Sequence, residues 1–214
     1  GTKYPLKGKI VLPDNVKKPV PAVVFVHGSG SSNMDEKVSK LTPFKDLAEG
    51  LAEHGIASIR YDKRTKAHPF KCVKEDVFTV REETIEDAVL AAELLKKEKA
   101  IDSDRIFIVG HSMGAMLAPR IDAEGGSFKG LIMMAGTLRK LEDILLYQID
   151  EMMADMGWLK RKIAKKQLKG FKDMFDGMYE LSDEEAKAKK VGSGATLYYF
   201  KEMGVYELDD TTWI

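Results

Sequence analysis

Short apolar runs of strand length alternate along this chain with longer stretches whose apolar residues recur at helical spacing. Ala22-Val23-Val24-Phe25-Val26 is continuous and apolar, the pattern of a strand buried on both faces. Residues 9–12 read as an earlier strand, ended by the turn Pro13-Asp14-Asn15. Thr42 followed by Pro43 marks a helix start, since a proline in the first turn gives up an N–H that has no helical partner anyway. Phe44, Leu47, Ala48, Leu51 and Ala52 then share one face, and Gly55 supplies the stop. Residues 56–61 predict the next strand. Thr79-Val80-Arg81-Glu82 has the form of a capping box, opening a helix with Ile85, Ala88, Val89, Ala92 and Leu95 on one stripe. Residues 105–109 and 128–135 read as strands, with a helix over 112–121 between them. Doubly buried strands alternating with helices predict an α/β fold, a mostly parallel sheet flanked by helices.

After Gly136 the pattern becomes helical throughout. Leu138, Leu141, Leu145, Ile149, Met152 and Met156 keep helical spacing, and Ser182-Asp183-Glu184-Glu185 forms a second capping box. This reads as a helical insertion, the alternative being ordinary helices packed on the sheet. The expected organisation is a core over 1–136, an inserted cap over 137–193, and a return segment over 194–214.

A length of 214 residues suits one domain with a small insertion. Lys plus Arg and Asp plus Glu both number 34, so no charge excess argues for a nucleic-acid or anionic-membrane partner. The basic run from Lys160 to Lys172 is accordingly expected to be a solvated helix face. No apolar run is long enough to span a bilayer. The single cysteine, Cys72, excludes an intrachain disulfide and fits a cytoplasmic location, with export after removal of a leader left open.

The chemistry is carried by Gly110-His111-Ser112-Met113-Gly114. A G-x-S-x-G run alone is weak, but this one follows the apolar Ile106-Phe107-Ile108-Val109 and precedes the helical Ala115-Met116-Leu117-Ala118. Strand, sharp turn and helix are what a nucleophile elbow requires. Gly110 and Gly114 stand where a Cβ would collide, and Ser112 Oγ projects from the carboxyl edge of the sheet, where open α/β sheets bind ligands. The helix beginning there directs its positive end at developing negative charge, so the Met113 N–H is one expected oxyanion donor. The second is expected near Ser29, in His27-Gly28-Ser29-Gly30 directly after the strand at 22–26, where glycines let the backbone approach a substrate carbonyl.

With these segments in view, the chain resembles the α/β-hydrolase superfamily, and within it bacterial serine esterases of the dienelactone-hydrolase kind. The resemblance is carried by residues 21–30, by Gly55-Ile56-Ala57-Ser58-Ile59-Arg60-Tyr61-Asp62-Lys63-Arg64, and by residues 110–114. It implies a nucleophilic Ser112, oxyanion donors at Met113 and around Ser29, and a cap formed by residues 137–193. It also implies a catalytic acid and then a histidine after the serine. The histidines here are His27, His54, His68 and His111, all before Ser112. His27 is expected to fix its loop, with a role as the base the alternative, and His111 to brace the elbow. His54 is expected to be solvated and His68 to be a loop residue, with lining of the site entrance the alternative. The expectation is therefore a fragment of a serine esterase, incomplete on its C-terminal side and nearly inactive by itself.

The substrate class expected is a small-molecule ester. A peptidase or thioesterase would use the same parts, and a non-catalytic binding protein on the same fold is the rival reading. Neither metal-ligand spacing nor a glycine-rich phosphate loop points to a cofactor. Asp35 is expected to pair with Lys63 or Arg64 and so order the loop after the first long strand. Met152, Met153, Met156, Met174 and Met178 read either as an adaptable apolar ceiling or as core. The run 128–135, left at the edge of the sheet, predicts association of two chains through that edge, or a cover made by residues 205–214.

Overall fold

The computed structural model describes residues 3–75, 77–137, 139–154, 156–191 and 195–204. The chain divides into two compact units, residues 1–76 with 81–137, and residues 77–80 with 138–214.

In the first unit, strand β1 (Gly8–Val11) leads to β2 (Val20–Val26), helix α1 (Pro43–Glu53) and β3 (Ala57–Tyr61). Two short helices, α2 (Arg64–Ala67) and α3 (Pro69–Cys72), follow. A wide π-type turn, Arg81–Ile85, runs into α4 (Glu86–Lys96). Strand β4 (Ile101–His111), helix α5 (Met113–Ile121) and strand β5 (Gly130–Met134) complete the unit. Among the described residues the sheet has the order β1-β3-β2-β4-β5. The β2–β3, β2–β4 and β4–β5 pairs are parallel, and β1 is antiparallel to β3. The mostly parallel sheet expected from the pattern is therefore present. β4 is longer than the run 105–109, because its start continues the pairing with β2 at Val20↔Ile101 across a register shift.

The continuous apolar run in β2 has a direct cause. Val23 and Phe25 point to one face, where they pack with Phe44 and Ala48 of α1 and with Val109 of β4. Ala22, Val24 and Val26 point to the other face and are equally buried. Phe25 and Phe44 stack with ring centroids 4.9 Å apart, and burying each such side chain is worth about 1.5–3 kcal/mol.

The second unit holds α6 (Leu141–Ala154), α7 (Trp158–Phe175), a 3₁₀ turn (Met178–Glu180) and α8 (Asp183–Ala188). The capping box predicted at Ser182 is formed: the Glu185 N–H donates to Ser182 Oγ, and the Ser182 N–H donates to Glu185 Oε2. The stretch 137–193 is not wholly helical, however. Lys190–Val191 (β6) pairs antiparallel with Ala195–Thr196 (β7), two strands too short to carry an alternating pattern. Residues 197–204 form a helix, α9 (Leu197–Gly204). Met153 and Met178 are core, whereas Met152 lies in solvent. Residues 205–214, the alternative cover for the sheet edge, lie outside the described residues.

Candidate active site

β4 ends at His111, and the chain turns through Ser112 straight into α5. Ser112 has φ 50° and ψ −115°, outside the regions that L-residues adopt without strain. It is held there from both sides. Its N–H donates to the Met134 carbonyl at the end of β5, at 2.9 Å, and its carbonyl accepts from the N–H groups of Ala115 and Met116.

The flanking glycines have steric reasons that can be measured. A Cβ on Gly110 would sit 2.3 Å from the Gly114 carbonyl oxygen, and one on Gly114 would sit 2.4 Å from the Val26 oxygen and 2.6 Å from the His27 oxygen. All of these are backbone atoms that cannot swing aside. The turn is thus packed directly against the end of β2, where the residue 27–36 loop begins. Gly28 lies at the meeting point: a Cβ there would be 3.2 Å from Ser112 Cβ and 3.3 Å from His111 Nδ1. Met113, at the first position of α5, is buried, Ser112 and His111 are half-buried, and Ser29 and Gly30 are exposed. Gly30 has φ 84°, a conformation that favours glycine.

The loop is ordered by a set of charged and aromatic contacts. His27 is buried between the rings of Phe44 and Tyr61, and its Nε2 lies 3.0 Å from the Asn33 carbonyl. Burial, helped by the charge of Lys63, pushes its pKa down to about 3, so at neutral pH it is an uncharged brace. Glu36, also buried, accepts from the Gly28 N–H at 2.8 Å and lies 2.9 Å from His111 Nδ1. Asp62 accepts from the Met34 N–H. Lys63 donates to the Gly28 carbonyl at 2.8 Å and pairs with Glu83 at 3.1 Å.

The expected pairing of Asp35 with Lys63 or Arg64 is corrected. Asp35 pairs with Arg60, Nε to Oδ1 at 2.8 Å. Lys63 and Arg64 are drawn instead to Glu83, on the turn leading into α4, and Asp87, in the first turn of α4. Glu36 and Glu83 escape a reading of the sequence, since nothing in their spacing distinguishes them from solvated acids. The remaining histidines are peripheral. His54 Nδ1 contacts the Gly50 carbonyl at the exposed end of α1, and His68 Nε2 contacts the Pro5 carbonyl. Among the described residues no group of three or more His, Cys, Asp or Glu side chains is gathered as metal ligands, and no helix is long and apolar enough to cross a membrane.

The sequence profile of the Alpha/beta hydrolase family matches residues 23–207. Esterase EstD of Thermotoga maritima is 44% identical over 144 residues, which are 67% of this chain and 33% of that protein. The chain thus aligns with about a third of the length of this curated relative. Among solved structures, the Pyrococcus furiosus esterase PF2001 superposes with a TM-score of 0.51 at 18% identity, over 79% of this chain and 63% of that one. Est1E from Butyrivibrio proteoclasticus matches at 22% identity and a TM-score of 0.46, over 65% and 49%. The parallel sheet, the strained turn at Ser112 and the profile match agree, and the chain belongs to the alpha/beta hydrolase family.

Proposed function

We propose that this chain carries the nucleophile of a serine esterase, with Ser112 attacking the carbonyl carbon of a small carboxylic ester. The observation that carries the reading is the conformation of Ser112, held at positive φ between β4 and α5 in a turn whose flanking glycines admit no Cβ. Strain of this kind persists where surrounding structure over-determines it, and it tends to sit at functional positions. Attack forms the Oγ–acyl bond and places negative charge on the former carbonyl oxygen. The N–H groups of Met113 and Ser29 are the donors assigned to that oxygen. Collapse expels the alcohol, which takes up the proton lost by Ser112, and water then cleaves the acyl-serine ester.

A base must hold that proton. His27 is uncharged but buried, with Nε2 on Asn33, and His111 is engaged by Glu36. Both are assigned as braces, so hydrolysis of p-nitrophenyl acetate by residues 1–214 alone is expected scarcely above background. A natural protein that contains this stretch and supplies a histidine to Ser112 is expected to be active. Ser112→Ala should lower its kcat by a factor on the order of 10⁴–10⁶. Robust turnover by residues 1–214 that survives replacement of His27 would overturn the assignment of the base. Activity that survives Ser112→Ala would overturn the nucleophile. The match to an esterase of Thermotoga maritima favours an ester over a peptide or thioester, and an arm with matched thioester and anilide substrates checks that preference.

A further inference from the structure

β2 and β3 run parallel, so the loop leaving Val26 and the residues leaving Tyr61 emerge at the same edge of the sheet. Lys63 grips that loop twice. Its N–H donates to the Ser32 carbonyl at 3.0 Å, and its Nζ reaches back to donate to the Gly28 carbonyl at 2.8 Å. The side chain is 2% exposed and its ammonium also pairs with Glu83. A buried ammonium needs a counterion, and Glu83 meets that need; the contact with a loop carbonyl is additional.

That carbonyl shares a peptide unit with the Ser29 N–H. The unit is planar and trans, so C=O and N–H point in opposite directions. A donor fixed on the Gly28 oxygen therefore directs the Ser29 N–H away from Lys63, and Ser29, like Gly30 after it, is exposed. An ammonium on the oxygen also polarises the amide and makes its N–H a stronger donor. The preceding peptide unit is held by the opposite charge, since the Gly28 N–H donates to Glu36.

We infer that Lys63 is a positioning residue for acyl transfer: by holding the Gly28 carbonyl it orients and strengthens the Ser29 N–H as the donor that meets the developing oxyanion. The inference rests on the reading of Ser112 as nucleophile. Burial lowers the pKa of Lys63 from its ordinary value, opposed by Glu83 and Glu36, and His27 faces the same ammonium. The charge is therefore given up earlier on the alkaline side than that of a solvated lysine.

The test has one arm that needs no activity. In the 214-residue chain at neutral pH, Lys63→Met should move the Gly28 carbonyl-carbon and Ser29 amide-proton resonances upfield, and Lys63→Arg should restore most of the change. In an active protein containing this stretch, Lys63→Met should lower kcat at least about tenfold with KM within about twofold, and the arginine variant should recover much of the loss. Unchanged resonances overturn the inference, as does a rise in KM at constant kcat, or equal impairment of both variants. Should Lys63→Met fail to fold, Glu83→Gln keeps Lys63 but removes its counterion, so the lysine gives up its proton more readily and the alkaline limb of kcat should shift to lower pH; a limb that stays in place overturns the inference. Full activity in Ser112→Ala would sink the acyl-transfer reading instead, leaving the resonances to decide whether Lys63 orders the peptide.

Discussion

His27 shows how one side chain ties stability to pH. It is held uncharged between Phe44 and Tyr61, with its pKa lowered from 6.5 to about 3 by burial and by Lys63. Between those values the unfolded chain binds a proton at this position and the folded chain does not. Stability therefore falls as pH drops below 6.5, by up to about 1.4 kcal/mol for each pH unit. Urea midpoints measured between pH 7 and pH 5 should decline in the wild-type protein and decline less in His27→Gln. Parallel declines in the two proteins would assign the acid sensitivity to other groups.

The turn joining β4 to α5 is governed by close approach rather than by propensity. Ala at Gly110 or Gly114 brings a Cβ within 2.3–2.4 Å of backbone oxygen atoms. Each change should cost at least about 1–3 kcal/mol and displace Ser112 from the end of β2. Gly50 makes the contrast within the same unit. It lies inside α1 with nothing within 4 Å of a built Cβ, so Gly50→Ala should stabilise by about 0.5–1 kcal/mol. Thermal or urea unfolding of the three variants measures both signs. A Gly110→Ala protein as stable as wild type would show that the turn has room the geometry denies. The strand–turn–helix order around Ser112 was legible in the sequence because it depends on neighbours a few residues apart. Contacts of Gly114 with Val26 and His27 were not, since they depend on how β2 and β4 align.

Among the described residues, strand order leaves β5 at one end of the sheet, beyond β4. Leu131 and Ile132 of this strand are exposed, on opposite faces. On the α1 face, Ile132 and Met134 border an apolar cavity of about 530 Å³ that extends over Val109 and Phe25 to Leu51. An unblunted edge strand with apolar flanks is a template for another strand. The arrangement argues for pairing of β5 with β5 of a second chain about a two-fold axis, which would continue both the sheet and its apolar face. Light scattering on the chromatographed protein should give a dimer mass for the wild-type chain and a monomer mass for Ile132→Lys. A wild-type monomer at high micromolar concentration would rule this association out.

Hydrophobic patterning carried the succession of the longer strands and helices in the first unit, though not the short α2 and α3. It also carried the doubly buried β2 and the serine-bearing turn, because burial and steric exclusion are written in the types of residues a few positions apart. The Ser182 capping box was legible from another local signal, the three-residue spacing of Ser182 and Glu185, whose side chains bond each other's N–H groups. Hydrophobic patterning did not carry the pairings that hold the 27–36 loop: Arg60 with Asp35, Lys63 with Gly28 and Glu83, Glu36 with Gly28 and His111. Lysine, arginine and glutamate reach several ångströms in many directions, and their sequence neighbourhoods look like those of any solvated charge. Their partners were chosen when the parallel alignment of β2 with β3 and β4 brought residues 28, 36, 63 and 111 to one edge of the sheet, and burial there left Lys63, Glu83 and Glu36 little water to turn to.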